Sequence, residues 1–445
     1  MFLRPQPVHF TGIGGIGMSG LAEILLRSGF RVSGSDLQRN ASTERLAAMG
    51  ARIEQGHQAE YVGDAAVLVA TSAVNAANPE VGEARRRRIP VVSRGELLAE
   101  LMRPQYGICV AGSHGKTTTT SMIASVLIEA GLDPTVVVGG KLDALGGSNA
   151  RLGGSEYFVA ETDESDGSFL LLHPVIAVIT NIDREHVDYY PTMDATRDAF
   201  RRFLAKVPFY GAIVACADDD NVREILPQAR GRVITYGRSA GAHYQVTGDS
   251  SPFRIEGVGT FEVGVPGAHN VLNAAATVAV GLELGVKTEV MQAALARFRG
   301  AGRRFERKGE AAGVSVIDDY GHHPTEIAAT LEAARGAGFA RVHVLFQPHR
   351  YTRTQALMEE FAGCFGRADS VYVLDVYAAS EPAIPGVTGA ALAARIPHAQ
   401  YAASVPEAVS ALVAGARAGD AIITQGAGSV WQAGELLLEA LWRRG

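Results

Sequence analysis

Cysteine is scarce in this chain: three occur in 445 residues, Cys109, Cys216 and Cys364, far apart and each set in an apolar stretch. They offer neither a disulfide framework nor a CxxC metal pattern, and buried reduced thiols are the expectation. Lysine occurs only at positions 116, 141, 206, 287 and 308, so a lysine inside a motif is conspicuous. The two tryptophans, Trp431 and Trp442, are expected as core residues of an amphipathic C-terminal helix. No run approaches the roughly 18 consecutive apolar residues of a membrane span, and Met1 to Phe10 lacks the apolar centre of a signal peptide. A cytoplasmic protein with no membrane partner is expected. A basic excess is missing too. The formal charge of -6 argues against a nucleic-acid partner, and the basic run Arg85 to Arg88 reads as the solvated face of a helix ending before Ile89-Pro90.

Hydrophobic residues make up 47% and charged residues 20% of a chain too long for a single core. Three domains are expected, at 1–105, 106–298 and 299–445. The first opens with a strand from Val8, a glycine turn over Gly12 to Gly17, a helix to about Ser28 and a strand ending near Asp36, which is a βαβ unit. The second restarts with a strand over Gly107 to Ala111, a glycine- and threonine-rich turn and a helix to about Ala130. Further strands follow at Tyr157 to Ala160 and Val175 to Thr180. Alternating β-branched residues from Ala229 to Pro266 predict antiparallel strands, and His269 to Leu284 an alanine-rich helix. The third domain has strands at Val314 to Ile317, Val342 to Phe346 and Ala421 to Thr424, with a helix from Pro324 to Arg335. The expected fold class is α/β, with Rossmann-like first and third domains and a central P-loop ATPase-like domain of mixed α/β type.

Two glycine-rich turns carry phosphate chemistry. Gly12-Ile13-Gly14-Gly15-Ile16-Gly17 satisfies G-x-G-x-x-G between strand and helix, where glycines let backbone approach a diphosphate at a helix N-terminus. Asp36 stands where an acidic residue meets a ribose hydroxyl. Alone, this reads as an NAD site or as a tight βα turn with no ligand. The second turn, Gly112-Ser113-His114-Gly115-Lys116-Thr117-Thr118, departs from Walker A spacing but keeps its chemistry. Backbone N–H groups cradle phosphates, Lys116 reaches the β and γ groups, and the Thr117 hydroxyl suits Mg²⁺. Two later strand ends are polar: Glu161-Thr162-Asp163-Glu164-Ser165-Asp166-Gly167-Ser168-Phe169 and Asn181-Ile182-Asp183-Arg184-Glu185-His186-Val187-Asp188. Each is either a solvated loop or, beside a P-loop, a source of oxygen ligands for Mg²⁺.

Together with His269-Asn270-Val271-Leu272-Asn273, Arg303-Arg304-Phe305-Glu306, Asp318-Asp319-Tyr320-Gly321-His322-His323-Pro324 and Gln347-Pro348-His349-Arg350-Tyr351-Thr352-Arg353, these blocks resemble the Mur ligase family over nearly the whole chain. The resemblance is strongest to the branch that adds the first amino acid. It implies ATP, UDP-N-acetylmuramate and L-alanine as the partners, Mg²⁺ as metal with Mn²⁺ as substitute, and a monomer or homodimer. The first glycine turn then serves a UDP-sugar instead of NAD, through Gly14, Gly15, Ile16, Gly17 and Ser19, with Asp36 on the uridine or ribose.

The resemblance further assigns the second turn, from Gly112 and Ser113 through His114 and Gly115 to Lys116, Thr117 and Thr118, to ATP. Asn270 and Asn273 go to adenine, and Arg304 and Asp319 to ATP from the third domain. Thr117, Glu161 and His186 would hold metal. Tyr320, His322, Arg350 and Arg353 would form the L-alanine and acyl-phosphate pocket, where a guanidinium grips a carboxylate bidentately. Lys116, His186 and Arg353 are the expected catalytic residues. The wider family carries a lysine, modified to a carbamate on the second metal, where Arg201 stands here, which implies other ligands for that metal. An NAD-dependent oxidoreductase leaves the second turn unexplained. A scaffold using ATP only as a switch predicts no amino-acid-dependent phosphate release.

Overall fold

In a computed structural model the protein is described over residues 5–444, apart from 72, 73, 75, 76, 187 and 188. The end of the second polar motif, Val187 and Asp188, therefore lies outside the described residues. The chain forms two compact units, Met1–Thr247 with Arg254–Glu262 and Leu272–Phe298, and Gly248–Phe253 with Val263–Val271 and Arg299–Gly445.

The first unit holds two sheets. One has five parallel strands in the order Arg52–Gln55, Val32–Asp36, Val8–Thr11, Val67–Ala70, Val91–Ser93. The chain reverses its winding between Val8–Thr11 and Val67–Ala70, so a crevice opens at the carboxyl ends of those strands. Helix starts follow local chemistry: Asn78 accepts from Glu80 and Val81 N–H ahead of Pro79, and Ser93 and Glu96 close a capping box. The Arg85–Arg88 run is exposed at the end of the helix Pro79–Arg86, as expected.

The larger sheet has ten strands. Its centre, Ala212–Cys216, Ile176–Ile179, Tyr106–Ala111 and Tyr157–Glu161, is parallel and fully covered, which is why these segments are unbroken apolar runs. The antiparallel reading of 229–266 is corrected at its start. Arg232–Gly237 pairs parallel with Ala212–Cys216 and with Tyr244–Thr247, and the direction reverses only between Tyr244–Thr247 and Phe253–Ile255.

The second unit has a six-stranded sheet, Glu306–Ala311, Val314–Asp319, Ala421–Gln425, Val342–Phe346, Ser370–Val373 and Ala399–Tyr401, parallel except for its first pair. Helix Pro324–Gly336 packs Ile327 and Leu331 on one face and helix Ala433–Arg444 packs Leu437 and Leu441 on the other. The tryptophans are not core. Trp431, in the turn Ser429–Gln432 before the last helix, is 40% exposed, and Trp442 is 74% exposed because Leu437 and Leu441 already fill the inward stripe of that helix. Cys109 and Cys216 are buried and Cys364 half-buried; burial pushes the Cys216 thiol up to about 11 and Cys364 to about 12, so all three described thiols are free and inert. Among the described residues no helix is long and apolar enough to cross a membrane.

Candidate active site

The glycine turn sits at the crevice of the five-stranded sheet. Gly12 and Ile13 N–H both donate to the Ser35 carbonyl, and Gly14 N–H donates to Asp36 Oδ2 at 2.8 Å. Asp36 thus clamps the turn onto the second strand. Helix Ile16–Arg27 begins at Gly15, and among the described residues no side chain caps it. A helix N-terminus without a side-chain cap presents N–H groups and positive dipole to an anion. Ile16 is 47% exposed here. Ser19 is different: it is fully buried, and its hydroxyl donates to the Ile16 carbonyl, so its side chain faces the fold and not a diphosphate.

Under the turn lies a group that motif reading missed. Glu80, buried, accepts from Thr11 Oγ1 at 2.7 Å and Ser35 Oγ at 2.8 Å, with His9 Nε2 at 3.3 Å. Burial raises its carboxyl, but the bonds from His9, Thr11 and Ser35 outweigh that and hold it below the ordinary glutamate range. It ties together the carboxyl ends of two strands from a helix about seventy residues away, a pairing no local signal announces.

The second turn follows the strand Tyr106–Ala111 and enters helix Lys116–Glu129 through Gly115, whose φ of 81° is left-handed and whose Cβ would lie 2.7 Å from Asn273 Oδ1. Only glycine fits there. Asn273 also accepts from Thr119 Oγ1 at 3.1 Å, so it braces this helix from behind. Asn181 and Asp183 stitch the turn from the neighbouring strand end. His114 N–H donates to Asn181 Oδ1, Asn181 Nδ2 donates to the His114 carbonyl, and the His114 ring meets Asp183 Oδ2 at 2.9 Å. Ser113 N–H goes to the Asn181 carbonyl, and its hydroxyl accepts from Asp183 N–H. Thr118 is buried in the first turn of helix Lys116–Glu129.

Lys116 is turned inward. Its ammonium donates to the Gly112 and Ser113 carbonyls at 2.6 and 3.0 Å and to Glu164 Oε1 at 2.7 Å. Burial alone would lower its pKa; the carboxylates of Glu164, Glu185 and Glu161 prevail and hold it above the ordinary lysine value. Thr117 donates to Glu161 Oε1 at 2.9 Å, and Glu161 Oε2 accepts from Gly139 N–H. His186, with a left-handed φ of 52°, aims Nε2 between Glu164 and Glu185 at 3.7 Å from each. Ligand atoms of Glu164, Glu185 and His186 lie within 4.8 Å of one another, and Glu164 Oε2 is buried with no hydrogen-bond partner. A buried carboxylate oxygen of this kind, beside the Glu185 carboxylate and the His186 ring, fits a hard divalent cation. Arg201 lies on helix Met193–Leu204 and pairs with Glu224 at 3.6 Å.

In the second unit, Asp319 is an organiser. Its oxygens accept from the N–H groups of Phe305 and Gly321, the Thr330 hydroxyl and Gln425 Nε2, all between 2.8 and 3.1 Å. A carboxylate so committed shapes the 303–305 and 319–321 loops. Arg303 and Arg304 both lie over the Tyr320 ring at 5.0 Å, and Arg304 faces Glu326 at 3.6 Å. Asn270 donates from Nδ2 to the Pro266 carbonyl. From Tyr320 a row of rings continues through His322 and His349 to Tyr377, which stacks on His349 at 9°. His349 and Tyr377 were not singled out from sequence. His349 lies inside the block Gln347 to Arg353, whereas Tyr377 carries no local signal.

Burial, together with the charge of Arg353, depresses His322 well below the imidazole range, and burial with Arg353 and Arg350 takes His349 to about 4. His349 is therefore neutral at pH 7, with Nδ1 at 3.3 Å from Arg353 Nη1. Arg353 lies on the short helix Tyr351–Ala356. Arg350 precedes that helix with a left-handed φ of 71° and faces Glu381 at 3.9 Å, so the two arginines do not share a helical face.

Comparison with known proteins follows these blocks. Profiles described as Mur ligase family, catalytic domain, Mur ligase middle domain, and Mur ligase, glutamate ligase domain match residues 7–106, 110–281 and 303–428. The chain is 58% identical to a UDP-N-acetylmuramate–L-alanine ligase of Solibacter usitatus, covering 100% of this chain and 97% of that one. It is 55% identical to the protein of the same name from Acidobacterium capsulatum, over 100% and 99%. The crystal structure of UDP-N-acetylmuramate–alanine ligase from Thermotoga maritima superposes with a TM-score of 0.84 at 28% identity, covering 99% of this chain and 100% of that one. With two glycine-rich strand-to-helix turns, an acidic cluster and matches along its length, the chain belongs to the Mur ligase family.

Proposed function

We propose that this protein is the ATP-dependent ligase that joins L-alanine to the lactyl carboxylate of UDP-N-acetylmuramate, a step of peptidoglycan precursor synthesis. The observation that carries this is end-to-end identity above one half to ligases of that name. The two turns divide the nucleotides: the UDP-sugar at Gly14 to Gly17 and ATP at Gly112 to Thr118, with residues 1–105, 106–298 and 299–445 serving UDP-sugar, ATP and amino acid. The lactyl carboxylate attacks the γ-phosphorus, ADP leaves, and the amine of L-alanine displaces phosphate from the acyl phosphate. No enzyme nucleophile is required. Lys116 and the backbone N–H groups of the turn neutralise charge on the transferring phosphoryl group, and fixed geometry supplies much of the acceleration. Thr117, Glu161, Glu164 and His186 are the residues that would hold Mg²⁺, which when bound neutralises phosphate charge. The test is phosphate release with ATP, UDP-N-acetylmuramate and each amino acid in turn: release peaks with L-alanine, and release independent of any amino acid rejects the ligase.

Two variants test the division of labour. Gly15 has an ordinary φ of -64°, and its Cβ would meet only the Gly12 carbonyl at 3.6 Å, so Gly15→Asp is tolerated by the backbone. Its carboxylate faces the diphosphate, and UDP-N-acetylmuramate binding is expected to weaken at least tenfold, about 1.4 kcal/mol, with ATP binding unchanged. Calorimetry on the folded variant decides; equal loss of both ligands would show that the turns do not act separately. Glu161→Ala removes the partner of the Thr117 hydroxyl and is expected to raise the Mg²⁺ concentration for half-maximal rate roughly tenfold or more as it lowers activity. An unchanged metal titration would remove Glu161 from the site.

A further inference from the structure

One guanidinium spans from the first glycine turn to the acidic loop beside the second. Arg94 is the first residue of helix Arg94–Met102, immediately after the last strand of the five-stranded sheet. Its side chain lies across the glycine turn: a Cβ on Gly17 would stand 2.8 Å from Arg94 Cδ, 3.2 Å from Nη1 and 3.3 Å from Nε. Any side chain at 17 would push the guanidinium away. The third nitrogen, Nη2, donates to Asp163 Oδ2 at 2.8 Å.

Asp163 belongs to the acidic loop of the ATP side. Two residues before it, Glu161 holds the Thr117 hydroxyl, and in the next position Glu164 holds the Lys116 ammonium. Asp163 is also tied into that loop. Its Oδ1 accepts from the N–H and hydroxyl of Ser165, and its carbonyl accepts from Phe169 N–H and the Ser168 hydroxyl. Moving the Asp163 carboxylate therefore means moving the loop that positions Glu161 and Glu164. Burial raises the Asp163 carboxyl, but the Arg94 charge, the hydrogen bonds from Ser165 and the Lys116 charge together outweigh that and hold it below the ordinary aspartate range. Arg94 and Asp163 side chains are 26% and 41% exposed, so the pair is within reach of a ligand.

We infer that Arg94 couples the two nucleotide sites, gripping the sugar-nucleotide diphosphate through Nε and Nη1 while Nη2 holds Asp163, so that each nucleotide tightens binding of the other. The inference rests on the assignment of the glycine turn to UDP-sugar and the second turn to ATP. A planar fork with five donors serves two anions at once; an ammonium on a flexible stem does not hold them in fixed relation. With the diphosphate in place Arg94 is fixed from both sides, and the acidic loop loses freedom before ATP arrives. By linkage the effect is reciprocal.

The test is calorimetry on the full chain in Mg²⁺, titrating UDP-N-acetylmuramate alone and with saturating β,γ-imido ATP, then the reverse. In the wild-type chain each ligand should tighten the other by the same factor, about tenfold. Asp163→Asn should bring that factor close to one while leaving UDP-N-acetylmuramate affinity alone within about threefold of wild type, since Arg94 still faces the turn. Arg94→Lys should also lose the coupling, and in addition weaken the sugar nucleotide alone; the double variant should lose no more coupling than either single one. A wild-type factor of one, or a wild-type factor retained in folded Asp163→Asn, overturns the inference. Failure of the wild-type chain to bind either nucleotide overturns the reading of the turns themselves and the inference with it.

Discussion

Lys116→Ala is expected to lose ligase turnover below detection, a fall of at least roughly a hundred- to a thousandfold, the effect of deleting one preorganised donor from a developing anion. The ammonium is held by the Gly112 and Ser113 carbonyls and by Glu164, three oxygens that aim it, while the carboxylates of Glu164, Glu185 and Glu161 outweigh burial and keep it charged. A γ-phosphate in the cradle competes with those oxygens for the same three donors. The lysine is mostly buried, and this sets the design of the experiment. Removing one member of a buried pair leaves Glu164 with an uncompensated charge, at a cost of roughly 3 to 5 kcal/mol. Lys116→Ala combined with Glu164→Gln relieves that burden and keeps the fold comparable. Amino-acid-dependent phosphate release, measured beside a thermal melt, separates the two effects. Near-normal release from either folded variant would remove Lys116 from the phosphoryl transfer.

Arg353→Ala is expected to lower kcat/KM for L-alanine about ten- to a hundredfold, the roughly 1.5 to 3 kcal/mol of a charge-assisted carboxylate contact. Neutral His349 offers a ring nitrogen to one arm of the guanidinium, which orients the fork and leaves its other donors for a ligand. Arg353→Lys keeps the charge but loses the fork, and should recover only part of the loss. ATP binding should change little in either variant. Steady-state titration of L-alanine gives the answer: unchanged apparent affinity and turnover in Arg353→Ala would reject the role. Isotope exchange through the acyl phosphate that survives without ligation would support a function after that intermediate forms. Arg350 is the weaker candidate, because its left-handed backbone and Glu381 give it a local task.

The strand–turn–helix setting of the two glycine turns was legible in sequence because it is local. A strand, two glycines, Lys116 and Thr117 lie within a dozen residues, and backbone conformation at such a turn is set by which residues tolerate it. Strand and helix positions were legible for the same reason, from periodicity and caps. The direction of Arg232–Gly237 was not, since alternation reports which face of a strand is buried and says nothing of which way its neighbour runs. Likewise an amphipathic helix announces an apolar stripe, yet the packing partner decides that Leu437 and Leu441 fill it and Trp442 stays in solvent.

What only tertiary structure decided are the pairings across large separations. Sheet register sets Gln425 opposite Asp319 and so brings its amide to that carboxylate, which organises two loops. Helix placement brings Glu80 beneath Thr11 and Ser35, and Arg94 between Gly17 and Asp163. In each case the sequence determined which group is present and what it can donate or accept. Which group it meets is a property of strand order, register and helix packing, and these are fixed by the burial of whole faces instead of by any residue near the site.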